Sequence, residues 1–159
     1  MACYRNKVVA IGNIMMADDG IGVWVAKALK NYLIERDVEL IIGETDVEYC
    51  LDSLEDGDKV IILDAAFTGG EIGRVSTHSL DELGYRGIGL TQHKHNLVEA
   101  IKLYRRDIKG ILIEIEIADV SFGLGISETM KVLFSEVVEE TKRSIESHIG
   151  GGKCTIQLY

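Results

Sequence analysis

The chain has 159 residues, 47% apolar and 27% charged, which suits one folded domain over residues 1–159 and excludes low-complexity and disordered classes. Its 26 acidic residues against 17 Lys and Arg give a formal net charge of −9, which excludes nonspecific binding to nucleic acid or anionic lipid. Cys3, Cys50 and Cys154 show no CxxC spacing, so they indicate neither a disulfide framework nor a zinc knuckle and suit a reducing, cytoplasmic compartment.

The opening MACYRNKVVAIGN has too short an apolar run for a signal peptide, and no later segment is long enough to span a bilayer, so no membrane insertion is expected. Val8 to Ile11 reads as a buried first strand ending in a Gly12-Asn13 turn. From Ile21, the apolar positions Val25, Ala28, Leu29, Tyr32 and Leu33 recur at helical spacing, with Asp18 and Asp19 placed to cap the first turn. Val38 to Ile42 predicts a second strand, Val47 to Leu54 a short helix, and Lys59 to Leu63 a third strand closed by Asp64.

Glycines 69, 70 and 73 precede a strand through Val75, and Ser79 to Leu90 reads as a loop. Leu97, Ile101 and Tyr104 predict a helix, and Ile111 to Ile117 a strand on which Glu114 and Glu116 mark a solvent-reaching face. Ser127 opens a long amphipathic helix to about His148 that Gly150-Gly151-Gly152 ends; Cys154 to Leu158 reads as a short edge strand or as part of a tail over residues 150–159. Alternating strands and helices predict an α/β fold, a three-layer α/β/α sandwich with a mostly parallel central sheet, of phosphorylase/hydrolase-like kind. No internal repeat is present.

Ligands of open parallel sheets collect outside the carboxyl ends of the strands. Here those ends are acidic: Asp18 and Asp19 follow strand one and Asp64 ends strand three. A dinucleotide fingerprint is missing from GNIMMADDGIG, and two carboxylates at the helix start would repel a pyrophosphate. A cation resolves their repulsion, because two carboxylates and an imidazole coordinate nickel, zinc or iron in preference to magnesium. His93 and His95 in QHKHN are the available imidazoles.

Each residue also has an ordinary structural role open to it: helix capping for Asp18 and Asp19, turn formation for Asp64, a solvated loop for QHKHN. His78 and His148 read as surface residues. Trp24, Met15 and Met16 flank the acidic loop; any of them left exposed would form a contact surface, and Trp24 is expected to be buried.

The stretches VVAIGNIMMADDGIGVWVAKAL, VIILDAAF, TQH and GLGIS, in this order, resemble the hydrogenase maturation endopeptidases, which trim the carboxyl-terminal extension of the nickel-iron hydrogenase large subunit. The resemblance spans most of the chain. It implies an endopeptidase of aspartyl type with Asp19, Asp64 and His93 as metal ligands, Asp19 standing where many relatives have Glu. Asp19 and Asp64 are also the catalytic candidates. Asp18, Glu44 and His95 are accessory candidates; Glu44 lies in Gly43-Glu44-Thr45-Asp46, where the family often has Gly-Gly-Thr. The proline that the family carries after the late strand is missing, and GGGKCTIQLY has no counterpart.

The resemblance further implies that the partner is the hydrogenase large-subunit precursor and that no permanent organic cofactor is needed. The metal is then the nickel of the substrate, with zinc or cadmium able to take its place. A noncatalytic nickel-binding maturation factor uses the same ligands, and a Rossmann-like nucleotide-binding module shares the α/β order. Both stay open at the level of sequence.

Overall fold

A computed structural model of the chain describes residues 5–83, 92–104 and 107–150. The β-branched run of strand β1 (Asn6–Ile11) is buried on both faces, as a central parallel strand requires. It lies between β2 (Glu39–Glu44) and β3 (Lys59–Ala66), parallel to both; β3 pairs in parallel with β5 (Lys109–Glu116), and β4 (Val75–Ser79) closes the edge antiparallel to β5. The strand order is β2-β1-β3-β5-β4. The sheet is therefore mostly parallel, as expected, with the strand through Val75 running against the rest.

Side-chain parity divides the core into two layers. Val8, Ala10, Ile61, Leu63, Ile113 and Ile115 face one way, against α1 (Ile21–Ala28), α2 (Lys30–Glu35) and α5 (Glu128–Ile149). Val9, Ile11, Val60, Ile62 and Leu112 face the other, against α3 (Val47–Asp52) and α4 (Gln92–Tyr104). Helices thus cover both faces, the three-layer arrangement that the alternation predicts.

Several local expectations change. The helical run from Ile21 is two helices, because Leu29 turns out of helical geometry at φ −92°, ψ 2° between them. Strand β3 does not stop at Leu63 but continues through Asp64 to Ala66. Hydrogen bonding to β5 sustains it there, so Asp64 is a strand residue and not a turn former. Asp46, in the acidic segment after β2, caps α3 by accepting a bond from the Tyr49 amide at 2.9 Å. Ser127 caps α5 as its sequence predicts, accepting from the Met130 amide at 3.2 Å. The Cys154 to Leu158 segment and most of the loop before Leu90 lie outside the described residues, as do Cys3 and Cys154.

Candidate functional site

In this strand order the chain leaves β1 toward β2 on one side and β3 on the other, so the crevice at their carboxyl ends is the topological switch point. A 3₁₀ turn over Ala17–Gly20 carries Asp18 and Asp19 to this crevice. Two glycines make the approach possible. Gly12 adopts φ +131°, and a Cβ there would stand 2.2 Å from the Asp19 carbonyl oxygen. Gly22 lets α1 abut the end of β3, where a Cβ would meet the Leu63 carbonyl oxygen at 2.7 Å and the Asp64 amide nitrogen at 3.2 Å.

Asp18 and Asp19 do not cap a helix, since neither the 3₁₀ turn nor α1 has a side-chain cap. Asp18 is fully buried, and its carboxylate clasps the segment leading into α5. Its Oδ1 accepts from the Ser127 amide at 2.6 Å, and its Oδ2 from the Asp119 amide at 3.0 Å and the Ser127 hydroxyl at 2.8 Å. That work is structural: it pins the end of β5 and the start of α5 beside the crevice. Asp19 is half-buried and accepts from the Asn13 amide through Oδ2 at 2.8 Å, which ties it to the end of β1. Glu44, also half-buried, ends β2, and its carbonyl accepts from the Gly12 amide at 2.9 Å.

Asp64 is 1% exposed and points to the α4 side of the sheet, by parity with Val60 and Ile62. One oxygen accepts from the Ala65 amide at 2.7 Å. The other stands 3.6 Å from the ammonium of Lys94, a lysine with no exposed surface. Lys94 also donates to the Ala65 carbonyl at 3.0 Å and to Glu114 at 2.7 Å. It lies in the first turn of α4, which therefore packs on the carboxyl end of β3. Positions 93 and 95 flank it in that same turn; the side chains of His93 and His95 fall outside the described residues. QHKHN therefore lies in the first turn of a helix and not in a loop.

Glu114 and Glu116 do not face solvent, contrary to the alternation read from the strand. They share parity with the buried Leu112, on a strand whose α4 side is covered. Glu114 bonds Lys94 and stands 3.1 Å from His78 Nε2. Glu116 is buried, and one of its oxygens accepts from the Thr68 amide at 2.9 Å, the Thr68 hydroxyl at 2.8 Å and the Gly70 amide at 2.7 Å, fastening the turn before β4. Burial pushes the Glu116 carboxyl up, but those Thr68 and Gly70 donors, with Arg74, outweigh it and hold the group below the usual carboxylate range.

The other titratable candidates lie elsewhere. His148 is half-buried, not a surface residue; burial and then Lys59 lower its basicity. His78 is partly exposed, as expected, but engaged by Glu114. Burial and then Asp46 push the Cys50 thiol up to about 11, which makes it inert packing. Trp24 is half-buried with the Lys27 ammonium 5.0 Å from its ring centre. Met15 is 42% exposed, beside Phe122 and Leu124 at 79% and 68%, on a loop joined to it by a bond from the Gly123 amide to the Met15 carbonyl at 2.8 Å. Among the described residues no group of three His, Cys, Asp or Glu side chains is preassembled to hold a metal ion.

Lys94 and Glu114 are the site residues that sequence reasoning missed as such. A signal was available for the first: Lys94 shares the helical stripe of Leu97, Val98 and Ile101, where a lysine must be buried and therefore paired.

These features define a doubly wound α/β domain with a charged site at the carboxyl rim of its central strands. The chain belongs to the hydrogenase maturation protease family, whose HycI model matches residues 23–144. It is 35% identical over 80 residues to the hydrogenase expression/formation protein HupD of Bradyrhizobium diazoefficiens, covering 50% of this chain and 42% of that protein. HupD of Thiocapsa roseopersicina is 27% identical over 140 residues, covering 83% of this chain and 63% of that one. The chain thus spans less than two thirds of the length of either relative. In fold it matches the hydrogenase maturating endopeptidase HybD of E. coli, with TM-score 0.71 at 21% identity over 89% of this chain and 91% of that one. Among the described residues no helix is long and apolar enough to cross a membrane.

Proposed function

We propose that the chain is a cytoplasmic endopeptidase that removes the carboxyl-terminal extension of a nickel-iron hydrogenase large-subunit precursor after nickel insertion. The observation that carries this reading is the family match over residues 23–144. The site chemistry is compatible with it: Asp64 lies near the end of β3, Asp19 lies on the turn bonded to Asn13 just past the end of the adjoining β1, and position 93 is in the first turn of the helix packed against Asp64. Two carboxylates and an imidazole suit a borderline transition ion such as nickel, for which zinc or cadmium can substitute.

In this reading nickel arrives as part of the substrate, and no organic cofactor takes part. Asp19, Asp64 and His93 engage the precursor's nickel and thereby hold the neighbouring peptide bond at the rim. A carboxylate accepts a proton as water attacks the peptide carbonyl; the C–N bond breaks and the departing amine takes up a proton. A precursor without nickel lacks the charge that would draw it onto the acidic rim, so loading precedes cutting.

The test is incubation of the purified chain with nickel-loaded and nickel-free precursor, followed by intact-mass measurement. Shortening of the loaded precursor alone is the expected result. A complex that forms but is never shortened overturns the protease reading in favour of a noncatalytic nickel-binding factor.

A further inference from the structure

Asp64 and Glu114 are register partners on adjacent parallel strands, with side chains on the same face. Neighbouring strands lie about 4.8 Å apart, a spacing at which a buried carboxylate and a mostly buried one repel strongly. The Lys94 ammonium fills the position between them, but it does not share itself equally. It is 2.7 Å from Glu114 and 3.0 Å from the Ala65 carbonyl, and 3.6 Å from Asp64, beyond hydrogen-bond length. Glu114 is itself steadied from its far side by His78 at 3.1 Å.

We propose that Lys94 and Glu114 are positioning residues for Asp64: Lys94 neutralises the paired carboxylates in the resting protein, and Glu114 draws the ammonium away so that a substrate cation can reach Asp64. The idea rests on the reading of Asp64 as a ligand to the precursor's metal. Its physical core is a competition. A divalent cation at Asp64 and the ammonium of Lys94 repel one another, so whatever holds Lys94 on Glu114 favours the cation. Whatever releases it toward Asp64 opposes the cation.

This predicts effects of opposite sign from two changes at one ion pair. In Glu114→Gln the charged acceptor is lost, the ammonium moves onto Asp64, and affinity for cation falls, by at least about tenfold, as for other groups that support a metal ligand. In the double variant Lys94→Met/Glu114→Gln both charges of the pair are gone and the cation no longer competes with the Lys94 ammonium, so affinity equals or exceeds that of the wild type. A purely structural role for the pair would lower affinity in both.

The experiment is calorimetric titration of the full-length chain and its variants with zinc and cadmium, alongside circular dichroism and kcat and KM for cleavage of nickel-loaded precursor. Zinc binding by the wild type that Asp64→Asn abolishes, together with the predicted order double variant ≥ wild type > Glu114→Gln, supports the proposal. In cleavage KM should run in the inverse order, highest for Glu114→Gln and lowest for the double variant, with Lys94→Arg keeping near wild-type values because it preserves the charge. Equal affinities in folded Glu114→Gln and wild type, or a weakened double variant, overturn it while leaving Asp64 as a ligand. Failure of the wild type to bind either ion, or binding untouched by Asp64→Asn, overturns the ligand reading itself and this proposal with it.

Discussion

The sheet buries a lysine–aspartate pair at each end, and the two are built differently. At the amino end the Lys7 ammonium touches Asp58 at 2.8 Å and donates to the Ser53 carbonyl at 2.7 Å, while Asp58 accepts from the Glu55 amide at 2.8 Å. At the carboxyl end the Lys94 ammonium lies 2.7 Å from Glu114 and 3.0 Å from the Ala65 carbonyl, and 3.6 Å from Asp64. Both pairs are almost wholly buried, so desolvation alone does not distinguish them. The closed pair joins β1 to the turn before β3 and has the form of a lock. The skewed pair stands at the switch point, where a carboxylate can be useful only if its counter-charge is held back.

Replacing the functional carboxylate should give the largest effect. Asp64→Asn is expected to lower the rate of precursor cleavage by about 10²–10⁴-fold, as loss of a proton-accepting group does, with circular dichroism unchanged. Single-turnover assays on loaded precursor check it; an undiminished rate would remove Asp64 from the site. The opposite end should respond in stability instead. Asp58→Ala removes the close partner of the buried Lys7 ammonium, leaving it the exposed Glu39 carboxylate 3.6 Å away, and should cost about 3 kcal/mol in denaturant unfolding, with cleavage per folded molecule preserved. If cleavage fell while stability held, the division of labour between the two ends would be wrong.

Gly22→Ala, placed where α1 presses on the Leu63 carbonyl, should cost about 1–3 kcal/mol through overpacking, read as a lower unfolding midpoint. Ser127→Ala removes the α5 cap and the hydroxyl donated to Asp18, and a loss of about 1 kcal/mol is expected in the same measurement. The smallest effect concerns pH. The folded-state Glu116 carboxyl titrates below its ordinary range, so its stabilisation is present above that range and is lost as pH falls through it toward the folded value. Glu116→Gln should flatten the acid side of a stability–pH profile; a profile as steep as the wild type's would show that other carboxylates dominate it.

Much of the fold is legible in local pattern. VVAI and VIIL are continuous apolar runs because their strands are covered on both faces, and the stripe from Ser127 to His148 keeps one helical period throughout. The acids that follow these strands were legible too. What misled was alternation in ILIEIEI. On a sheet with one wet face it would place Glu114 and Glu116 in solvent, yet here that parity faces α4 and the turn held by Thr68 and Gly70. Asp18 misled in a similar way. An acid before a helix resembles a cap, and only the distant segment around Asp119 and Ser127 reveals its actual partners.

By itself the sequence determined the order of strands and helices, the burial of the central strands and the presence of acids at their ends, because periodicity and turn chemistry act over a few residues. The tertiary structure alone decided that β3 lies beside β5 in a register that sets Asp64 against Glu114, and that α4 delivers Lys94 between them. Those contacts join segments far apart in the chain, and they follow from how two buried like charges are neutralised, a problem that exists only once the strands are side by side.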